Sequence, residues 1–265
     1  MKLRDNLVLV TGASSGIGAE IARAAADRGA RLLLVARGRE ALEKVAAEIR
    51  DAAGDATVMP ADLANLDDVE RLAANVLADA GAPDVLVNNA GAGRWRAIDE
   101  NEPGEARRQI ELPYLAAYEL TRALVPAMIK RGSGHIVNMT SLAGFVTIPG
   151  ASGYGTARWA MRAFSSHLRE DLRGTGVDVL LLAPSEVDSP YFAHNPGTRE
   201  RIPGAAKLAG PAMTPEEVAR DAVRAIERGR TGVRIMPARA RWVYRTTPPP
   251  LMRTLLRWTG WKRPH

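Results

Sequence analysis

The sequence predicts one doubly wound α/β domain, a central parallel sheet with helices on both faces, and three observations lead there. Short apolar runs alternate with helical stretches at roughly thirty residues per unit, the rhythm of strand–helix–strand crossovers. The first such run passes directly into a glycine-rich loop and then an Ala-rich helix. The length, 265 residues without internal repeats, exceeds the common domain size but fits a single sheet.

Asn6–Val10 is the first apolar run and reads as a buried parallel strand. Thr11-Gly12-Ala13-Ser14-Ser15-Gly16-Ile17-Gly18 follows, then a helix to about Arg28. Glycines let backbone turn tightly and approach a ligand, and a helix N-terminus offers free N–H groups to phosphate. Gly12, Ser14, Ser15, Gly16, Ile17 and Gly18 are therefore candidate dinucleotide contacts. Their spacing, G-x-x-x-G-x-G, differs from G-x-G-x-x-G, but the strand–loop–helix context of a Rossmann-type domain is the same. A purely structural turn would use the same residues.

Arg31–Ala36 is the second strand, with Arg37 at its end. An acidic residue here would accept hydrogen bonds from an adenosine ribose. Arg37, with Arg39 nearby, instead suits a 2′-phosphate and predicts NADP, although a solvated arginine at a strand end would look the same. Thr57–Met59 supplies a third strand, followed by Asp62-Leu63. Asp62 can close an adenine pocket or equally serve as a turn or helix-capping residue.

Asp84–Val87 is the fourth strand, ahead of Asn88-Asn89-Ala90-Gly91. Ile136–Met139 ends a fifth, opening into Thr140-Ser141. Tyr154 starts a helix, and Arg158 four residues later falls on the same face. A serine at a strand end, a tyrosine and a fixed cation can polarise a carbonyl oxygen and pass it a proton.

TGASSGIG, ADL, NNAG and a serine thirteen residues before a tyrosine occur here in order, and together they resemble the short-chain dehydrogenase/reductase family over about residues 5–236. The resemblance implies an oxidoreductase that interconverts a carbonyl and a secondary alcohol. It implies Ser141 as the group that hydrogen-bonds the substrate oxygen and Tyr154 as general acid or base. Leu63, Asn89, Ala90, Gly91, Tyr154 and Arg158 join the expected cofactor contacts. So do Pro184, Val187 and Ser189, in a segment that in the family reads P-G-x-V-x-T and closes over the nicotinamide. A homodimer or homotetramer, joined through the tyrosine helix and the helix before the fifth strand, is also implied.

Two positions depart from the family's Asn–Ser–Tyr–Lys set. The lysine is Arg158, and the best register places Pro113 where the asparagine belongs. A free tyrosine titrates near pH 10, so acting as a base near neutrality takes roughly 4 kcal/mol of help. A cation ~5 Å away at an effective dielectric of ~20 contributes ~3 kcal/mol, and arginine supplies that field as well as lysine. Arginine cannot release a proton, its pKa lying above about 12. Pro113 has no side-chain group to hold the water of the family's proton relay, but it would still kink the helix. The expectation is a site with shape and field retained and the relay impaired, direct solvent access to Tyr154 replacing it. The rival is a pocket kept for non-redox chemistry, a cyclisation or dehydration, or for binding without turnover.

Val177–Leu182 is a sixth strand, and residues 190–213, rich in Pro and Gly, read as a substrate lid or an ordinary surface connection. With Tyr191, Phe192 and His194 there, and Trp95, Leu142, Phe145 and Val146 in nearby loops, the pocket is expected to take a bulky apolar carbonyl or alcohol. Thr214-Pro215-Glu216-Glu217 starts a helix running to about Arg228, and Thr231–Met236 gives the last strand.

Residues 237–265 follow the domain at 1–236 as a basic, Trp-rich tail. The net charge is +6, yet residues 239–265 carry seven Lys/Arg and no acid, leaving 29 basic and 30 acidic residues elsewhere. A nucleic-acid face, which would need a basic stripe on the body, is therefore not expected. Leu251, Leu255, Leu256 and Trp258 are expected on one face of a short helix flanked by Arg253 and Arg257. Such a helix can lie on an anionic membrane or pack across a neighbouring subunit. There are no cysteines, and the histidines 135, 167, 194 and 265 do not cluster, so no metal site is expected. The first residues enter a strand at once and no apolar run is long enough to span a bilayer, which makes a cytoplasmic location the expectation.

Overall fold

Seven runs rich in Val, Leu and Ile make the strands of one sheet in the computed structural model, which describes residues 2–263. They are β1 (Leu7–Thr11), β2 (Arg31–Ala36), β3 (Asp55–Pro60), β4 (Val85–Asn88), β5 (Gly134–Met139), β6 (Val177–Pro184) and β7 (Gly232–Met236). The order is β3-β2-β1-β4-β5-β6-β7 and every pairing is parallel. Alternate side chains leave the sheet on opposite faces, so β1 sends Val8 and Val10 into one core and Leu7 and Leu9 into the other. Both faces being covered, β1, β4 and β5 are buried along their whole length. The first strand begins one residue later than the hydrophobic run indicates and takes in Thr11.

Helices α1 (Gly16–Ala26), α2 (Arg39–Asp51) and α3 (Leu66–Asp79) make the first crossovers. α1 and α2 cover one face, joined there by α8 (Pro215–Glu227), while α3 covers the other. The α8 start behaves as its sequence predicts: Thr214 Oγ1 accepts from the Glu217 amide at 3.3 Å and Glu217 returns a bond to the Thr214 amide at 3.0 Å.

The helix before β5 is interrupted. α4 (Glu105–Ile110) widens over Glu111–Leu115 into a π-turn and continues as α5 (Ala116–Arg131). Pro113 sits buried in that turn and has no N–H for the carbonyl four residues back. The chain answers by opening one turn, and the Ala116 amide bonds to Glu111 O, five residues away. The interruption at Pro113 therefore takes the form of a π-turn.

α6 (Ser152–Asp171) packs on β5 and β6 and carries Tyr154 and Arg158 on its buried face. The segment after β6 holds a single short turn, α7 (Tyr191–His194), and 3₁₀ turns at Arg199–Arg201 and Gly204–Ala209.

The tail corrects the sequence reading in one respect. α9 (Ala238–Thr246) and α10 (Pro249–Thr259) pack onto the 204–209 turn and bury Ala240 and Leu256. Leu256 does not share a face with Leu251 and Trp258. A step of 100° per residue puts Leu256 with Met252 on the inner side, while Leu251 and Trp258 face solvent, 51% and 82% exposed. The end of the tail, including His265, lies outside the described residues.

Candidate active site

Strand order reverses between β1 and β4, and the loops leaving the carboxyl ends of both strands must diverge there. Thr11 holds that junction together. Its hydroxyl donates to Val87 O at 3.1 Å and accepts from the Asn89 and Ala90 amides at 2.9 and 3.0 Å. Asn89 Nδ2 donates to Thr11 O at 3.0 Å, which fixes the glycine loop against the NNAG turn. Gly12, at φ +67°, leaves no room for a side chain: a Cβ would lie 2.9 Å from Asn89 Nδ2. A Cβ on Gly18 would collide with the Gly12 carbonyl, so this glycine sets how closely α1 approaches β1.

Above this junction opens a cavity of about 1020 Å³. Gly12, Ser14, Ser15, Gly16 and Ile17 line one end, with Arg37 at the end of β2 and Leu63 beyond β3. α1 begins there with no acid in its first turn and no side-chain bond from Ser15, leaving its amides open to an anion. Asn89, Ala90 and Gly91 also line the cavity, and Pro184, Val187 and Ser189 form a further wall, with Ser189 beside Gly16. Ser185 N bonds to Met236 O, and Asp188 N and Glu186 O bond to Met213, which hold that wall to the edge of the sheet.

The three candidate catalytic side chains meet in the same cavity. Ser141 leaves β5 and accepts from the Ala143 amide at 3.3 Å. Tyr154, 8% exposed, has its ring between Trp95 and Tyr191, with centroids 5.5 and 6.1 Å away. The Arg158 guanidinium stands 4.8 Å from the centre of the Tyr154 ring and packs on Gly91, where a Cβ would lie 3.0 Å from Nη2. Thr140 Oγ1 donates to Arg158 O at 2.9 Å and ties the end of β5 to this turn of α6. Arg158 is 7% exposed, and its Nε has no hydrogen-bond partner among the described residues. A buried cation with an idle donor can hold an oxygen-rich ligand beside the tyrosine.

Residues 190–213, which wall part of the cavity and so cover it, are pinned at two points. Tyr191 Oη donates to Gly93 O at 2.6 Å, and Arg201 grips Glu100 through two bonds of 2.6 and 2.8 Å. Burial, then the Tyr154 phenol beside it, push the Tyr191 hydroxyl above the ordinary tyrosine value, so it stays a proton donor.

Several expected residues stand elsewhere. Asp62 does not line the cavity; its carboxylate accepts from the Ala64 amide at 3.1 Å, the turn role that its position also allowed. Gly18 shapes the cradle from behind, without lining it. Phe145 turns away to meet Tyr244 edge-on at 5.6 Å, because the short helical turn at Leu142–Gly144 sends it into the core. Trp95, Leu142, Val146, Tyr191, Phe192 and His194 do line the cavity.

The sequence reading missed three features. Val243, Tyr244, Met252 and Leu256 of the tail form part of the wall. Gln109, one turn before Pro113, is buried beside Gly153, where a Cβ would lie 2.9 Å from its amide, and its Oε1 lacks a partner among the described residues. Asn88 and Asn138 are joined at 2.9 Å beneath the site, in a buried chain from Thr121 to Ser165. An amide at the end of β4 and another one turn before Pro113 are the sequence signals for the last two; the tail's docking has no local signal.

The profile of the short chain dehydrogenase family matches residues 6–199. "Dehydrogenase/reductase SDR family member 7B" of Bos taurus is 36% identical over 191 residues, which are 70% of this chain and 59% of the bovine one. "Ketoacyl reductase HetN" of Nostoc sp. is 35% identical over 231 residues, 87% of this chain and 78% of that protein. Among solved structures, a metagenomic short-chain oxidoreductase in complex with NADP superposes with a TM-score of 0.74 at 33% identity, covering 89% of this chain and 97% of the other.

Proposed function

The chain belongs to the short-chain dehydrogenase/reductase family, and from that premise we propose that it interconverts a carbonyl and a secondary alcohol on a bulky apolar substrate, using NADP. The observation that carries the reading is the convergence of Ser141, Tyr154 and Arg158 in one cavity with the glycine loop and Arg37. NADP-bound relatives of the same fold support the cofactor.

The residues present fit that cofactor. The Gly12 turn and the open amides of α1 would receive its pyrophosphate, and Arg37 its 2′-phosphate. The buried Nε of Arg158, without a partner among the described residues, would take a ribose oxygen. When bound, the cofactor supplies hydride in reduction and accepts it in oxidation.

In the reducing direction, Ser141 Oγ donates a hydrogen bond to the carbonyl oxygen and fixes it near Tyr154. The Tyr154 hydroxyl gives that oxygen its proton as negative charge builds on it. The resulting phenolate is stabilised by the Arg158 guanidinium over the ring. Pro113 offers no side chain for the family's relay, so the tyrosine recovers its proton from water entering the cavity. Trp95, Val146, Phe192 and the tail residues make the substrate wall apolar, which favours a bulky ketone or alcohol over a small acid.

We place the family's subunit contacts on α5 and α6, where Tyr118 and Trp159 are 41% and 44% exposed. The functional test is NADPH oxidation, followed by absorbance, with a panel of bulky ketones, comparing wild type with Tyr154→Phe. The expected result is turnover that falls at least about a hundredfold in the variant. Equal rates in the two proteins, or cofactor binding with no turnover on any carbonyl, would favour a pocket kept for non-redox chemistry or binding.

A further inference from the structure

The tail helices have two unlike sides. Inward, α9 and α10 give Ala240, Val243, Tyr244, Met252 and Leu256 to the cavity wall. Outward, Trp242, Leu251 and Trp258 are 66%, 51% and 82% exposed, among the most exposed large apolar side chains described. Both helices pack on the same 204–209 turn, and in each the exposed tryptophan lies two residues, or about 200°, round from a buried residue: Trp242 from Ala240 and Trp258 from Leu256.

The end of α10 is fixed in place. Thr259 Oγ1 accepts from the Ala205 amide at 2.9 Å, Arg201 stacks over Trp261 at 4.8 Å, and Arg263 grips Asp99 through two bonds of 3.0 Å. Exposed tryptophan on a braced helix is therefore a presented surface. Its charge is one-sided. Arg241, Arg245, Arg253, Arg257 and Lys262 make no ion pair among the described residues, and residues 239–265 contain no acid.

We propose that the outer side of α9 and α10 docks on an anionic lipid bilayer. Tryptophan suits the headgroup level, its apolar body inward and its N–H toward water, and leucine reaches the acyl boundary beside it. The unpaired arginines face the negative lipid surface. A second copy of this chain fits poorly, because a two-fold contact would set this acid-free basic patch against itself. No helix among the described residues is long and apolar enough to cross a membrane, so the contact is a surface one. Because α9 and α10 stand between cavity and bilayer, a lipophilic substrate would arrive on the side where its pocket is walled, a corollary that rests on the proposed oxidoreductase reading.

Flotation of the full chain with vesicles tests this without reference to activity. Phosphatidylcholine vesicles containing phosphatidylglycerol should carry the protein, and pure phosphatidylcholine vesicles should not. Arg253→Gln with Arg257→Gln should lower partitioning about thirtyfold, and added salt should weaken it. Trp242→Ser with Trp258→Ser should lower it at least about tenfold, with circular dichroism and NADPH binding unchanged. Wild type left at the bottom of the gradient with anionic vesicles, or variants that float as well as wild type, would overturn the proposal. A fall in solution mass of the tryptophan variant, without flotation of either protein, would overturn it in favour of a second copy.

Discussion

Arg158 sits against the Tyr154 ring, and replacing it tests what its charge contributes. Its guanidinium lies 4.8 Å from the centre of the Tyr154 ring in a site where both residues are nearly buried. At that separation and an effective dielectric of ~20, a unit cation stabilises a phenolate by roughly 3 kcal/mol, about two orders of magnitude in rate. Arg158→Met keeps the length and removes the charge. Its backbone bond from Thr140 survives, so the turn of α6 should hold. At saturating NADPH, kcat should fall about a hundredfold, which separates loss of field from loss of cofactor affinity. Arg158→Lys keeps the charge as a point and should stay within about tenfold of wild type. A Met variant within about threefold of wild type, with Lys no better, would refute the electrostatic role.

Two other perturbations address the cofactor end and the cover. Arg37→Asp removes the cation from the end of β2 and offers a carboxylate instead; the Kd for NADPH should rise roughly tenfold to a hundredfold while that for NADH improves, read by nicotinamide fluorescence, and an unchanged ratio would show that Arg37 does not meet the 2′-phosphate. Glu100 is held below its ordinary value of 4.5, chiefly by its bond to Arg201 and further by the Ala97 amide, so the anchor is complete above that value and is lost as pH falls through the lowered one. Hydrogen-exchange protection of residues 190–213 should therefore drop in acid, and Glu100→Gln should lower it already at neutral pH; equal protection in variant and wild type would show that the ion pair does not fasten the cover.

How much of this was legible in the sequence follows from range. Strands such as Val85–Asn88 announce themselves because both faces are buried and the run is continuously apolar. The Thr214 cap and the Pro113 interruption were readable because their chemistry acts within one helical turn. The glycine loop, Ser141, Tyr154 and Arg158 were found through ordered spacing, and the fold brings them into one cavity. What escaped depends on distant segments. Gln109 is buried, its Oε1 without a partner among the described residues, where Gly93 and Gly153 close over it. Tyr244 and Met252 line the cavity because the tail folds back onto the 204–209 turn, a docking that no local pattern encodes. Phe145 illustrates the converse: proximity to Ser141 in sequence suggested a pocket residue, and the tight turn after Ser141 aims it at Tyr244 instead.

The central claim, that this cavity remains a nicotinamide cofactor site despite Arg158 and Pro113, is tested most directly by titrating the purified full chain with NADPH and NADH and following nicotinamide fluorescence. No substrate need be known. The account predicts saturable binding of both, tighter for NADPH by about tenfold or more. A folded protein that binds neither would contradict it.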